Sequence, residues 1–306
     1  MPHLAIRGIN HYYEWMTESG EPRPSGQRPV LVFLHGWGGS ARYWESTAQA
    51  LAPYFDCLLY DLRGFGRSSG AALKLDGAEA ASPDRATLSE QLSYELDAYA
   101  EDLAALLDQL GIAQIVVNGH SMGASIATVF INRYAERVER AILTCSGIFE
   151  YDQKSFAAFH KFGGYVVKFR PRWLYGLPFM NRLFMQRFLH RPIPAGVSRA
   201  FLNDFLMADY DAALGTIFTS VSQKAAEVMP QEFAQIQVPT LLIAGEKDII
   251  IPAALGQRAA ALNDRITYVE IANTAHFPML EDASTYLKQV YQFLGLGAEQ
   301  TVPASS

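Results

Sequence analysis

The stretch VVNGHSMGAS, residues 116–125, runs from an apolar, strand-like segment through Gly-His-Ser-Met-Gly into small helix-favouring residues. Gly119 and Gly123 bracket Ser121, each two positions away. That spacing suits a sharp strand-to-helix turn, in which flanking side chains would collide and glycine removes the collision. A serine on such a turn stands at the carboxyl end of its strand and at the positive N-terminus of the next helix. The pentapeptide alone also fits a plain helix cap, because serine is a favoured N-cap.

A nucleophilic serine needs a base, an acid and oxyanion donors elsewhere in the chain. LLIAGEKDIIIP, residues 241–252, reads as a strand, a turn carrying Asp248, and Pro252 opening a helix. EIANTAHFPMLED, residues 270–282, reads as a strand, a loop carrying His276, and another helix. Ser121, Asp248 and His276 therefore each follow the end of an expected strand, which lets three separate loops converge. LHGWGGS, residues 34–40, is a glycine-rich turn after a strand. Its Trp37 N–H and the Met122 N–H at the start of the helix are the expected oxyanion donors. The neighbours His35, Gly36, Gly38, His120 and Phe277 are expected to line the substrate site.

Outward from these motifs, runs of Val, Ile and Leu alternate with amphipathic stretches, which predicts α/β architecture with a mainly parallel sheet. Strands are expected at 30–36, 55–61, 114–119, 138–145, 238–245 and 266–272, with two short ones near the N-terminus. Helices are expected at about 40–52, 93–110, 122–136, 252–262 and 279–294. Leu96, Tyr99, Leu103, Leu106, Leu107 and Leu110 form a stripe of helical period for packing on a sheet. Residues 70–90 lack sustained periodicity and read as an exposed loop. Residues 148–230 are helical in pattern and rich in aromatics, and read as a cap subdomain. The core domain is then 1–147 with 231–296, and 297–306 is a disordered tail.

The chain has 306 residues and a formal net charge of -6, which gives no reason to expect a nucleic-acid partner. The N-terminus lacks the pattern of a signal peptide, and no apolar run reaches the ~18 residues of a membrane span. A cytoplasmic location is the default expectation. Cys57 and Cys145 both lie in strand-like runs and read as buried free thiols. No metal-ligand cluster or phosphate loop stands out, so no cofactor and no metal are expected.

Together LHGWGGSARYW, YDLRGFGRSS, GHSMGA, AGEKDIIIP and AHFPMLED resemble the α/β-hydrolase fold superfamily, in the branch with a helical cap after the sixth strand. The resemblance spans roughly 4–295, except the 70–90 loop and the cap. It implies a mostly parallel eight-stranded sheet flanked by helices, and a triad of Ser121, Asp248 and His276. It leaves the substrate open, because this superfamily hosts many chemistries. Asp61 and Arg63 of DLRGFGRS are expected to organise loops rather than react. Glu150 is an alternative acid that some members of the family resemble.

Family members that open epoxides or remove halogens use an aspartate nucleophile, so Ser121 argues against both activities. Serine with histidine fits cleavage of carboxylic esters through an acyl-enzyme, with a small-molecule ester as substrate. Similar C–C hydrolases usually have Gly-His-Trp around the base, where this chain has Ala-His-Phe. HGWGG also departs from the HGGG of many short-chain esterases. C–C hydrolysis, acyl transfer to another acceptor and ligand reception without turnover remain alternatives.

From Gln153 to Asn203 there is no acidic residue, against nine lysines and arginines, and ten aromatic rings from Phe156 to Phe188 are interleaved with them. Two readings stay open. The simpler one packs the rings onto the core and the pocket and leaves the cations as a solvated face. The other sets the block weakly on an anionic lipid surface or admits an amphiphilic anion. The chain is expected to be a monomer or, through an apolar cap, a homodimer.

Overall fold

The computed structural model describes residues 2–21, 24, 26, 28–69 and 93–297. The 70–90 loop and all but the first residue of the 297–306 tail lie outside the described residues.

Eight strands form one sheet: β1 (His3–Ile6), β2 (Ile9–Met16), β3 (Val30–Leu34), β4 (Asp56–Tyr60), β5 (Ile115–His120), β6 (Val138–Thr144), β7 (Thr240–Gly245) and β8 (Ile266–Ile271). Their order is β1-β2-β4-β3-β5-β6-β7-β8. β1 pairs antiparallel with β2, and β2 with β4; every other pairing is parallel. The expected strands are all present. The one expected at 30–36 ends at Leu34, because His35 and Gly36 already belong to the turn.

The described helices are α1 (Glu45–Leu51), α2 (Leu96–Gln109), α3 (Met122–Arg133), α4 (Gln153–Lys168), α5 (Met180–Met185), α6 (Ala195–Met207), α7 (Tyr210–Ser220), α8 (Gln223–Gln235), α9 (Ala253–Ala260), α10 (Pro278–Glu281) and α11 (Ala283–Leu294). Two expected helices are split. The 40–52 segment starts as a tight 3-10 turn, Ala41–Trp44, before α1. The 279–294 segment breaks at Asp282, whose side chain caps α11 by accepting from the Thr285 N–H.

β3 shows why such strands read as unbroken apolar runs. Leu31 and Phe33 enter the core on the α1 and α11 side of the sheet, while Val32 and Leu34 enter the core on the α2 and α3 side. Both faces are covered, so no position is left for polar alternation. Leu96, Tyr99, Leu103, Leu106 and Leu107 of α2 are buried in the second of these cores, as their spacing predicts. Cys57 and Cys145 are buried free thiols.

Helices α4 to α8 stand between β6 and β7. The boundary expected at 230 falls inside α8, and Phe233 of that helix is fully buried in the main core. The last turns of α8 are therefore packed with the sheet. Among the described residues no helix is long and apolar enough to cross a membrane.

Candidate active site

The sharp turn after β5 holds Ser121 at φ 54 and ψ -121, a conformation that costs a residue with a side chain on the order of 1–3 kcal/mol. The two glycines make the turn possible. A Cβ on Gly119 would lie 2.5 Å from the Gly123 carbonyl oxygen, and one on Gly123 would lie 2.5 Å from the carbonyl oxygens of both Leu34 and His35. Both obstacles are main chain, which cannot rotate away.

Asp248 follows β7 in a turn closed by its own N–H to the Gly245 carbonyl, 3.1 Å. One carboxylate oxygen accepts from the N–H groups of Ile250 (2.8 Å) and Ile251 (3.1 Å). The other lies 2.7 Å from His276 Nδ1. A carboxylate in this position accepts, so Nδ1 carries the proton and Nε2 is free to accept from Ser121 Oγ at 3.0 Å. The three side chains predicted from separate loops are thus in hydrogen-bond contact. Asp248 and His276 are buried and Ser121 is half-exposed. Glu150, the alternative acid, is instead an exposed partner of Arg258.

The main chain of His276 is fixed at both ends. Its N–H donates to the Phe188 carbonyl between α5 and α6, 2.9 Å, and its carbonyl accepts from His120 Nε2, 2.7 Å. Because that carbonyl must accept, Nε2 carries the proton and His120 Nδ1 accepts a hydrogen bond from the Tyr43 hydroxyl at 2.9 Å. The same hydroxyl oxygen accepts the Gly36 N–H. Burial, then the neighbouring His276, holds His120 well below the usual imidazole range, so it stays neutral.

His120 is therefore not a substrate contact, contrary to the sequence expectation. Phe277 is enclosed by Tyr43, His120, Phe188 and Phe201, and His35 is spent on the Gly36 carbonyl and the Leu62 N–H. Gly36 does lie beside Ser121, and Gly38 lies against Phe205 of α6. Met122 is the first residue of α3, so its N–H has no acceptor within the helix. In the turn after β3, Gly36 donates to Tyr43 and Gly39 to the Gly36 carbonyl, which leaves the Trp37 N–H out of both bonds. The Trp37 indole donates to the Ala213 carbonyl of α7, and its ring faces Phe205.

Glu281 escaped the sequence reading. One of its oxygens accepts from Ala275 (2.9 Å) and Phe277 (3.2 Å), on either side of His276. The other accepts from His190 (2.7 Å) and Arg191 (2.8 Å). A single buried carboxylate thus joins the base loop to the segment leading into α6. Its only sequence signal is an acid near the end of a short helix, five residues beyond the histidine. Asp61 acts as expected, accepting from the Ala41 and Arg67 N–H groups and pairing with the Arg67 guanidinium. Arg63 is likewise buried in an ion pair with Asp102, 2.7 Å.

His120, Cys145 and His276 bring possible metal-ligand atoms within 4.8 Å of one another. The site does not fit a metal well. All four imidazole nitrogens are already hydrogen-bonded, and burial, then the charge of Asp248, pushes the Cys145 thiol away from its thiolate.

A family model described as alpha/beta hydrolase fold matches residues 29–283, and the chain belongs to that family. The uncharacterized hydrolase YugF of Bacillus subtilis is 23% identical over 308 residues, covering 95% of this chain and 96% of that protein. A pimeloyl-(acyl-carrier protein) methyl ester esterase of Nitrosospira multiformis is 26% identical over 294 residues, covering 88% of this chain and 95% of that one. Among solved structures, the enol-lactonase from Burkholderia xenovorans LB400 matches with a TM-score of 0.73 and 22% identity, covering 96% of this chain and all of that one.

Proposed function

We propose that this chain is a cofactor-independent serine hydrolase of carboxylic esters. The observation that carries the reading is the unbroken line from Asp248 Oδ2 to His276 Nδ1, 2.7 Å, and from His276 Nε2 to Ser121 Oγ, 3.0 Å. In the proposed mechanism Ser121 Oγ attacks the ester carbonyl as His276 Nε2 takes its proton. The N–H groups of Met122 and Trp37 receive the oxyanion. His276 then protonates the leaving alcohol, which departs and leaves an acyl-serine. His276 next activates a water molecule, which releases the acid and restores Ser121. Asp248 holds the tautomer and stabilises the imidazolium throughout.

Phe188 stands 6.2 Å from the His276 ring, and Phe205 faces Trp37 at 5.6 Å. These aromatic groups support an apolar acyl chain or aromatic ester over an acetyl group. The relative in Nitrosospira multiformis, itself called a methyl ester esterase, favours ester over C–C cleavage.

The test is hydrolysis of p-nitrophenyl esters from acetate to palmitate by wild type and Ser121→Ala. Turnover of the longer esters that disappears in the variant is the expected result. Turnover restricted to acetate would remove the apolar-substrate part. No turnover of any ester, with turnover of a ring-cleavage dienone, would replace the reading with C–C hydrolysis.

A further inference from the structure

The ten aromatic rings from Phe156 to Phe188 do not all pack inward. Phe156 is buried and Phe184 and Phe188 are half-buried, whereas the other seven are exposed. On α4 the division follows helical geometry. Phe156, Gly163 and Val167 face the protein, while Phe159, Phe162 and Tyr165 project from another side, with Phe169 one turn further on. Val166 of α4, Leu174 of the following turn and Met180 and Phe184 of α5 all pack on Leu202, Phe205 and Leu206 of α6. The three segments are thereby held side by side, and Arg187 after α5 lies 5.7 Å over the Phe162 ring of α4. Their outward side chains form one surface. On it Tyr165, Phe169, Trp173, Phe179 and Leu183 each leave 60% or more of their area to solvent.

Large aromatic side chains gathered in this way are not what a merely solvated face contains. Their charge setting is equally one-sided. Lys154, Lys161, Lys168, Arg172, Arg182, Arg187 and Arg199 are exposed, and the stretch has no acidic residue in a chain whose net charge is -6. A second copy docked face to face would set these cations against themselves, since a two-fold interface uses the same patch twice. An anionic bilayer accepts both features: rings enter the headgroup boundary while the cations meet lipid phosphates.

We propose that the outer face formed by α4, the 172–176 turn and α5 docks on an anionic phospholipid bilayer. The docking needs no turnover, so it stands or falls separately from the ester reading. On their inner side the same segments pack on α6, whose Phe205 lies against Gly38 and Trp37 of the turn beside Ser121. A docked protein would thus hold α6, and with it the turn beside Ser121, next to the lipid surface.

The experiment is co-sedimentation of the full chain with vesicles of phosphatidylglycerol or of phosphatidylcholine, at low and high salt. Binding to phosphatidylglycerol that weakens with salt is expected, with a blue shift in emission that Trp173→Phe removes. Phe169→Ser/Trp173→Ser/Phe179→Ser and, separately, Lys161→Glu/Lys168→Glu/Arg172→Glu should each lower partitioning by roughly tenfold or more. All six side chains are exposed, so turnover of a soluble ester by both variants should match wild type and report an intact fold. Equal binding to both lipids, no binding to phosphatidylglycerol, or unchanged binding by either variant would overturn the proposal. So would a dimer in sedimentation that the serine variant dissolves, which would assign the face to a second copy.

Discussion

His120 donates from Nε2 to the carbonyl of His276 across 2.7 Å, so the residue beside the nucleophile holds the main chain of the base. His120→Leu removes that donor and also strands the Tyr43 hydroxyl. A buried carbonyl and a buried O–H donor left unsatisfied should cost about 2–4 kcal/mol of stability in urea unfolding. A small displacement of His276 should also lower ester kcat by roughly tenfold to a hundredfold. His120→Gln, which keeps an N–H donor, is expected to recover part of both losses.

Glu281→Gln tests the carboxylate that joins the base loop to residues 190 and 191. An amide has one oxygen for two of the four N–H groups and presents its own NH2 to the other two. A loss of about 2–3 kcal/mol is expected in thermal or urea unfolding. Unchanged stability would mean that this joint contributes nothing to the fold.

Asp204 sets a pH dependence at the seam between α6 and the core, where it accepts from Ser40 and pairs with Arg42. Burial, only partly offset by these partners, raises its pKa to about 6 from 3.8. Because the folded value is the higher one, the proton's stabilising contribution is complete below about pH 3.8 and is lost as pH rises through 6. Wild type should therefore lose up to about 3 kcal/mol relative to Asp204→Asn between pH 4 and 7. Parallel stability curves for the two proteins over that range would contradict the assignment.

Gly123→Ala would place a methyl group 2.5 Å from two main-chain carbonyl oxygens. Rotation of a side chain cannot relieve either contact, so β3 and α3 must move apart. Destabilisation of more than about 3 kcal/mol, or failure to accumulate folded protein, is expected by circular dichroism and yield. Gly164→Ala, on α4 with no atom within 4 Å of its new Cβ, is the matched control and should be neutral or slightly stabilising.

Much of the site was readable because it is written locally. Ser121 needs glycine two residues away on both sides, and Asp248 and His276 each follow an apolar strand with a turn. What chain position could not supply was direction. His120 is next to Ser121, but the turn at φ 54 separates their courses, and the imidazole runs behind the base instead of into the substrate site. The same holds for His35 and Phe277, which lie near the site along the chain but are packed among core partners. The aromatic block stays open between two readings for a different reason. Helical spacing within 153–169 already separates Phe156 and Val167 from Phe159, Phe162 and Tyr165, but composition alone could not say which side met the protein.

The sequence by itself determined the α/β-hydrolase class and the candidate triad, because strand period, glycine spacing and loop position are properties of neighbouring residues. Only the tertiary structure decided that Glu281 ties residues 190 and 191 to the base, that His120 supports it from behind, and that seven rings face outward. Each of those depends on partners brought together by packing. A side chain's direction and the identity of a distant hydrogen-bond partner are settled when helices meet the sheet, after local preference has had its say.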